Sequence, residues 1–179
     1  MLRLQINGEI RITHTKPTHL EETLRKLKQI GCCIKVNKSD IYLKAPETLK
    51  AIDLVTQPYP GFPTDMQSIF VATLIRAKGI SNVTENIFEN RYKYVGELIK
   101  MGANIKQEER KLKITGEEKI KATNLKAMDL RGGAALIIAA LQAEGNTEIS
   151  CIEYILRGYE NIDEKLRKLG AKINIEEGE

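Results

Sequence analysis

Tryptophan is missing from this chain, and large aromatics are few: three phenylalanines and six tyrosines in 179 residues. So little ring surface leaves few faces on which nucleic-acid bases could stack. Charge points the same way. The formal net charge is +4 with both signs interspersed and no dense Lys/Arg block, so no nucleic-acid partner is expected. Cysteines number three, an odd count, and Cys32 and Cys33 are adjacent. A disulfide framework is therefore not expected, and a reducing compartment is. His14 and His19 have no Cys or His partner at ligand spacing, so neither a metal nor another cofactor is expected. The longest apolar run, Ala134–Leu141, is too short to cross a bilayer, and MLRLQINGEI has no leader pattern. No membrane association and a cytoplasmic location are the expectations. What remains is ordinary for a globular chain, 42% hydrophobic and 29% charged, and long enough for one domain with its own core.

What the chain does have is internal repetition. Segments 18–36 (THLEETLRKLKQIGCCIKV), 91–107 (RYKYVGELIKMGANIKQ) and 159–175 (YENIDEKLRKLGAKINI) overlay. Each is an amphipathic helix pattern closed by Gly31, Gly102 or Gly170 and followed by a strand-like run. Segments 66–84 (MQSIFVATLIRAKGISNVT) and 132–150 (GGAALIIAALQAEGNTEIS) form a second pair, apolar helices ending at Gly79 and Gly145. The unit reads helix–strand–helix–strand–strand. The first copy lacks its opening helix and the last its closing strand, so the pattern is expected to be truncated at both ends.

In detail, Thr18 and Glu21 predict a capped helix to Ile30. Strands are expected at 33–37, 41–45, 51–55, 80–84, 104–107, 111–115, 119–123, 146–150 and 171–175. Helices are expected at 66–78, 92–101, 132–143 and 159–169. The loop 57–64 holds three prolines and should be stiff. Helices 66–78 and 132–143 are apolar nearly all round, which predicts burial. Strands should then surround buried helices, an inside-out α/β arrangement.

Four places combine charge with a predicted helix start: Asp65 before 66–78, Asp129 and Arg131 around the start of 132–143, Arg91 before 92–101, and Arg157 before 159–169. Arginine is unfavourable at the positive end of a helix, so three such arginines suggest an anion between them. Blander readings stand beside this one. Asp65, or Thr64, fits an ordinary N-cap. Arg91 could pair with Glu89, and Arg131 with Asp129. Gly132-Gly133 could serve close packing at a helix start and is no P-loop. Cys32, Cys33 and Cys151 read as small structural residues.

Four stretches carry a family resemblance: PYPGFPTDMQ (58–67), ENIFENRYKYVGEL (85–98), DLRGGAALIIAALQAEGNTEI (129–149) and RGYENIDEKLRKLGAKI (157–173). They resemble the UDP-N-acetylglucosamine enolpyruvyl transferases (carboxyvinyltransferases) of bacterial peptidoglycan synthesis. The likeness runs from about residue 9 to the end and covers only the C-terminal part of such enzymes. It implies an inside-out α/β barrel domain of the enolpyruvyl transferase type, with residues 1–179 one incomplete C-terminal domain. It implies transfer of enolpyruvyl from phosphoenolpyruvate to the 3-hydroxyl of UDP-N-acetylglucosamine, in the bacterial cytoplasm, with a complementing N-terminal half as partner. Asp65 matches the proposed general base. Ile87 matches a residue contacting the sugar, and Arg91, Arg131 and Arg157 match arginines around phosphoenolpyruvate. Asp129 matches a cleft aspartate. The family's loop cysteine and its lysine–asparagine pair lie outside the matched part, so activity of this chain alone is not expected. Before Arg157 the family usually has His-Ile-Asp or His-Leu-Asp, where this chain has Tyr154-Ile155-Leu156. A non-catalytic remnant, or a module binding anions or nucleotide sugars, is the alternative.

Overall fold

A computed structural model describes residues 8–176. Among the described residues nine strands run in chain order: β1 (Glu9–Ile12), β2 (Cys33–Asn37), β3 (Asp40–Lys44), β4 (Leu54–Val55), β5 (Ile80–Thr84), β6 (Asn104–Glu108), β7 (Lys111–Thr115), β8 (Leu125–Lys126) and β9 (Ile149–Ser150). Six helices accompany them: α1 (Glu21–Ile30), α2 (Thr64–Leu74), α3 (Val95–Lys100), α4 (Leu130–Ala140), α5 (Glu153–Leu156) and α6 (Ile162–Lys168). A 3-10 turn, Pro17–Leu20, precedes α1.

Repetition in sequence becomes repetition in topology. In the first unit β3 lies between β1 and β2, antiparallel to both. In the second β7 lies between β5 and β6 in the same way. Thus β1 stands where β5 stands. Each unit then passes its last short strand to the next sheet. Strand β4 pairs parallel with β5, Leu54 opposite Val83, and β8 pairs parallel with β9, Leu125 opposite Ile149. Side chains reinforce both handovers. Asp53 Oδ1 accepts from the backbone N–H of Asn82 at 2.9 Å, and Glu97 Oε2 accepts from that of Lys126 at 3.0 Å.

The two apolar helices are the buried pair that their sequences predict. From Phe70 to Leu74 every residue of α2 is buried, as is every residue of α4 from Gly132 to Ile137. Such helices cannot face water without exposing apolar surface on every side, so strands and the outer helices enclose them. They pack on each other. Ser68 Oγ donates to the carbonyl of Arg131 at 2.9 Å, and Gln142 Nε2 donates to that of Ala72 at 2.8 Å. Phe62, from the proline loop, meets Phe70 edge-to-face at 4.9 Å between ring centres. Burying such a ring stabilises by about 2–3 kcal/mol. Here it also fastens the loop to the helix it precedes.

The five repeat glycines, Gly31, Gly79, Gly102, Gly145 and Gly170, all take positive φ. That conformation strains any residue with a Cβ, so these glycines end their segments as the pattern predicts.

Other expectations need correction. The first helix has no Thr18 cap; Pro17–Leu20 is a 3-10 turn, and α1 starts at Glu21. Residues 119–123 contribute one bridge, Lys121 to Glu144, and the strand is displaced to β8. Residues 171–176 form no strand. The sequence reading leaves β1 unassigned, because its two apolar positions are too few to mark a strand. Cys32 is buried, and burial pushes its thiol up to about 11. Cys33 is exposed on the sheet.

Candidate functional site

The site grows from the proline loop. Gln57 N–H donates to the Phe62 carbonyl at 3.0 Å and closes residues 57–62 into a turn. Gly61 makes that closure possible, since a Cβ there would lie 2.5 Å from Gln57 Cβ. The chain leaves the turn at Pro63, whose extended backbone forms the N-cap of α2. Thr64 and Asp65 are therefore the first two helical residues, and neither side chain caps the helix. This corrects the N-cap reading of both. Their side chains are free to point at other elements.

Asp65 meets two arginines. Its Oδ1 accepts from Arg131 Nε and lies 3.5 Å from Arg91 Nη2. The hydrogen bond from Arg131, followed by the charges of Arg131 and Arg91, holds the carboxyl below its usual range against the opposing effect of burial. Asp65 is ionised at neutral pH.

Arg131 sits in the first turn of α4. Its backbone N–H, with that of Gly132, donates to Asp129 Oδ1 at 3.0 and 2.7 Å. Asp129 is thus the N-cap of α4, in extended conformation. An Arg131–Asp129 side-chain pair does not form; the guanidinium reaches across to Asp65 instead. The Nη nitrogens of Arg131 make no hydrogen bond among the described residues, so this fork keeps donors to spend on an anion.

Arg91 does not pair with Glu89, which pairs with Arg110 at 3.0 Å. Arg91 Nε donates to Thr64 Oγ1 at 3.2 Å, and the guanidinium lies over the Phe88 ring at 4.3 Å. It precedes α3 by several residues and is not at its start. Arg157 is displaced too. It follows the short helix α5, absent from the sequence reading, and its guanidinium stacks 5.5 Å from the Tyr154 ring centre. A cation at the C-terminal end of a helix is favourable. Arg157 is exposed and makes no ion pair among the described residues.

Ile87 is half-buried, and its position is set through its backbone. Its N–H donates to Oε1 of buried Glu85 at 2.9 Å. Glu85 is a residue that the motif reading missed, although a signal was present. Ser81, Val83 and Glu85 continue one inward-facing alternation along and past β5. Tyr159 was missed as well. Its half-buried phenol is pushed upward by burial and feels the charges of Arg131, Asp65 and Asp129.

Thr64, Asp65, Arg91 and Arg131 therefore form one cluster, with Asp129 fixing Arg131 from behind. Ile87 is tied to it through Glu85, and Arg157 stands apart. A carboxylate at the start of α2, held between two guanidinia, can accept a proton from a bound hydroxyl and place an anion beside it.

Comparison with known proteins agrees with this frame. The family profile described as EPSP synthase (3-phosphoshikimate 1-carboxyvinyltransferase) matches residues 4–166. UDP-N-acetylglucosamine 1-carboxyvinyltransferase of Desulfofundulus thermocisternus is 45% identical over 93% of this chain and 68% of its own length. UDP-N-acetylglucosamine 1-carboxyvinyltransferase 2 of Geobacillus kaustophilus is 46% identical over 93% of the chain, and the enzyme of Clostridium botulinum is 48% identical over the same share. The chain spans 39% and 40% of the lengths of those two relatives. Among solved structures, the enolpyruvyl transferase NikO from Streptomyces tendae superposes with a TM-score of 0.84 at 24% identity, covering 96% of this chain and 41% of its own. EPSP synthase from Acinetobacter baumannii gives 0.62 at 17% identity, covering 83% of this chain and 36% of its own. At these identities the structures establish the fold. The inside-out α/β arrangement is that of the enolpyruvyl transferases, and with the match over residues 4–166 it places the chain in the EPSP synthase family of carboxyvinyltransferases.

Proposed function

We propose that this chain is one incomplete C-terminal domain, and one wall of the cleft, of a UDP-N-acetylglucosamine 1-carboxyvinyltransferase. The transferase moves the enolpyruvyl group of phosphoenolpyruvate onto the sugar 3-hydroxyl and releases phosphate, as a step of peptidoglycan synthesis in the bacterial cytoplasm. The observation that carries the reading is the Asp65 carboxylate held by Arg131 and Arg91 at the start of α2. Asp65 is the acceptor for the hydroxyl proton. Arg131 and Arg91 bind the carboxylate and phosphate of phosphoenolpyruvate, with Arg157 closing from α5 once substrate is present. Ile87 lies against the sugar.

The depressed pKa of Asp65 makes it a weak base while Arg131 holds it. Transfer of Arg131 to the incoming anion releases the carboxylate and raises its basicity at the moment the base is needed. Activity requires the partner half, which supplies the other wall.

The test is complementation. The chain is mixed with the remaining portion of the Geobacillus kaustophilus enzyme, and phosphate release from phosphoenolpyruvate is followed with UDP-N-acetylglucosamine present. Turnover is expected only in the mixture, and Asp65→Ala should lower it by about a thousandfold or more, as losing a base and its positioning does. Turnover by the chain alone, or full activity of Asp65→Ala in the mixture, would refute the reading.

A further inference from the structure

Glu85 is 1% exposed and has no cationic partner among the described residues. A buried carboxylate in that position must be satisfied by hydrogen bonds, and this one is. Its Oε1 accepts from Thr56 Oγ1 at 2.8 Å, from Ile87 N–H at 2.9 Å and from Phe88 N–H at 3.1 Å. Its Oε2 accepts from Thr64 Oγ1 at 2.9 Å. Thr56 Oγ1 in turn accepts from Asn86 N–H at 2.9 Å. One side chain thus joins three separate pieces of backbone: the strand end before the proline loop, the first turn of α2, and the 86–88 turn.

The direction of these bonds matters. Because the carboxylate can only accept, the Thr64 hydroxyl must give it its single proton. The oxygen of Thr64 is then left as an acceptor, and Arg91 Nε donates to it at 3.2 Å. The carboxylate of Glu85 therefore sets the sense of the Thr64 → Glu85 bond, and Arg91, which can only donate, completes the chain Arg91 → Thr64 → Glu85. Arg91 is held by its Nε, and its Nη groups remain for Asp65 and for an anion.

We propose that Glu85 is a positioning residue of the anion site: it touches no ligand and orients Arg91 through the Thr64 hydroxyl. The ligand side of this inference rests on the function proposed above; the orientation of Arg91 does not. Glu85→Gln is the sharp perturbation. Its amide nitrogen must face either the N–H groups of Ile87 and Phe88 or the Thr64 hydroxyl. The first places donor against donor. The second makes the Thr64 oxygen accept from the amide as well as from Arg91, and its proton loses the acceptor that held the hydroxyl in place.

Two readouts separate the possibilities. The first is the NMR signal of the Arg91 Nε–H group in the chain without ligand, assigned through Arg91→Lys. It should be sharp and protected from exchange in the parent and in Thr64→Ser, which keeps the hydroxyl. It should be lost or broadened in Thr64→Val and in Glu85→Gln. The second is phosphoenolpyruvate affinity by calorimetry, expected to fall about tenfold in Thr64→Val and to recover in Thr64→Ser, a change of about 1.4 kcal/mol.

Thr64→Val keeps the shape of the side chain, so it serves even if Glu85→Gln does not fold. An Arg91 signal unchanged in Thr64→Val overturns the inference. So does a loss of thermal stability in Thr64→Val or Glu85→Gln with the signal intact, the mark of a merely structural role. If the signal responds as expected while phosphoenolpyruvate binds to no variant or parent even with the complementing half present, the orientation of Arg91 stands and the proposed function fails.

Discussion

Arg131 Nε donates to Asp65 Oδ1 across a sequence gap of 66 residues and joins the first turns of α2 and α4. The contact is local in space because the two helices are packed together, with Ser68 Oγ bonded to the carbonyl of Arg131 at 2.9 Å. It places a carboxylate at the start of α2 in direct contact with a guanidinium at the start of α4.

That contact makes anion binding pH-dependent, and the sign follows from the direction of the shift. Asp65 without ligand has a lowered pKa because Arg131 donates to it. An anion that draws Arg131 away lets the pKa rise toward the ordinary carboxylate value. Binding then takes up a proton, and affinity strengthens as pH falls through the window between the two pKa values. Sulfate is a suitable probe, since it does not titrate near the ordinary carboxylate value. Titration by calorimetry should show this acid-side gain in the parent, beyond the gain shared with Asp65→Asn as other carboxylates protonate. At neutral pH Asp65→Asn should bind sulfate about three- to tenfold more tightly, its arginines no longer competing with a carboxylate. Equal affinity and equal pH slopes for parent and variant would show that Arg131 does not leave Asp65.

Asp129 offers a second test, because its visible role is to cap α4. Its Oδ1 accepts from two backbone N–H groups at 2.7 and 3.0 Å. Asp129→Ala should destabilise the chain by about 1 kcal/mol, and Asp129→Ser should restore most of it. Urea unfolding checks this. If Asp129→Ala unfolds at the parent midpoint, the cap contributes nothing, and the residue is present for a ligand alone.

How far the sequence discloses this protein depends on whether a residue acts through its neighbours in the chain or through distant ones. The helix stops at Gly31, Gly102 and Gly170 are local backbone requirements, and the pattern shows them plainly. The burial of α2 and α4 is legible for the same reason, since a helix with no polar face has only one place to go. Pairing is not legible. Arg131 has Asp129 two residues away and Arg91 has Glu89, yet both turn to residue 65, while Asp129 caps α4 and Glu89 pairs with Arg110. Weak strands fail similarly. The expected 119–123 strand loses to β8, where partners exist in β9. Glu85 is disclosed only when the alternation of β5 is followed one step past the strand end, where a carboxylate occupies an inward position.

Gly133 gives the last test, on packing that seats α5 and with it Arg157. A Cβ at this position would lie 2.5 Å from Ile155 Cγ1 and 2.9 Å from its Cδ1. Ile155 is 2% exposed and belongs to a small core cluster with Ala127, Ile137 and Leu166, so it has little room to yield. The glycine in the first turn of α4 is there for close approach of α5. Gly133→Ala gains helix propensity, about 1 kcal/mol at most. Overpacking costs about 1–3 kcal/mol. The clash should win, and Gly133→Ala should lower stability by about 1–2 kcal/mol in urea unfolding. Ile155→Ala alone should cost about 2–5 kcal/mol through its cavity. The double variant should be more stable than the sum of the two losses, because the added methyl fills part of the space that Ile155 leaves. Strict additivity would mean that α5 does not rest on Gly133, and the seating of α5, which Arg157 follows, would lose this structural basis.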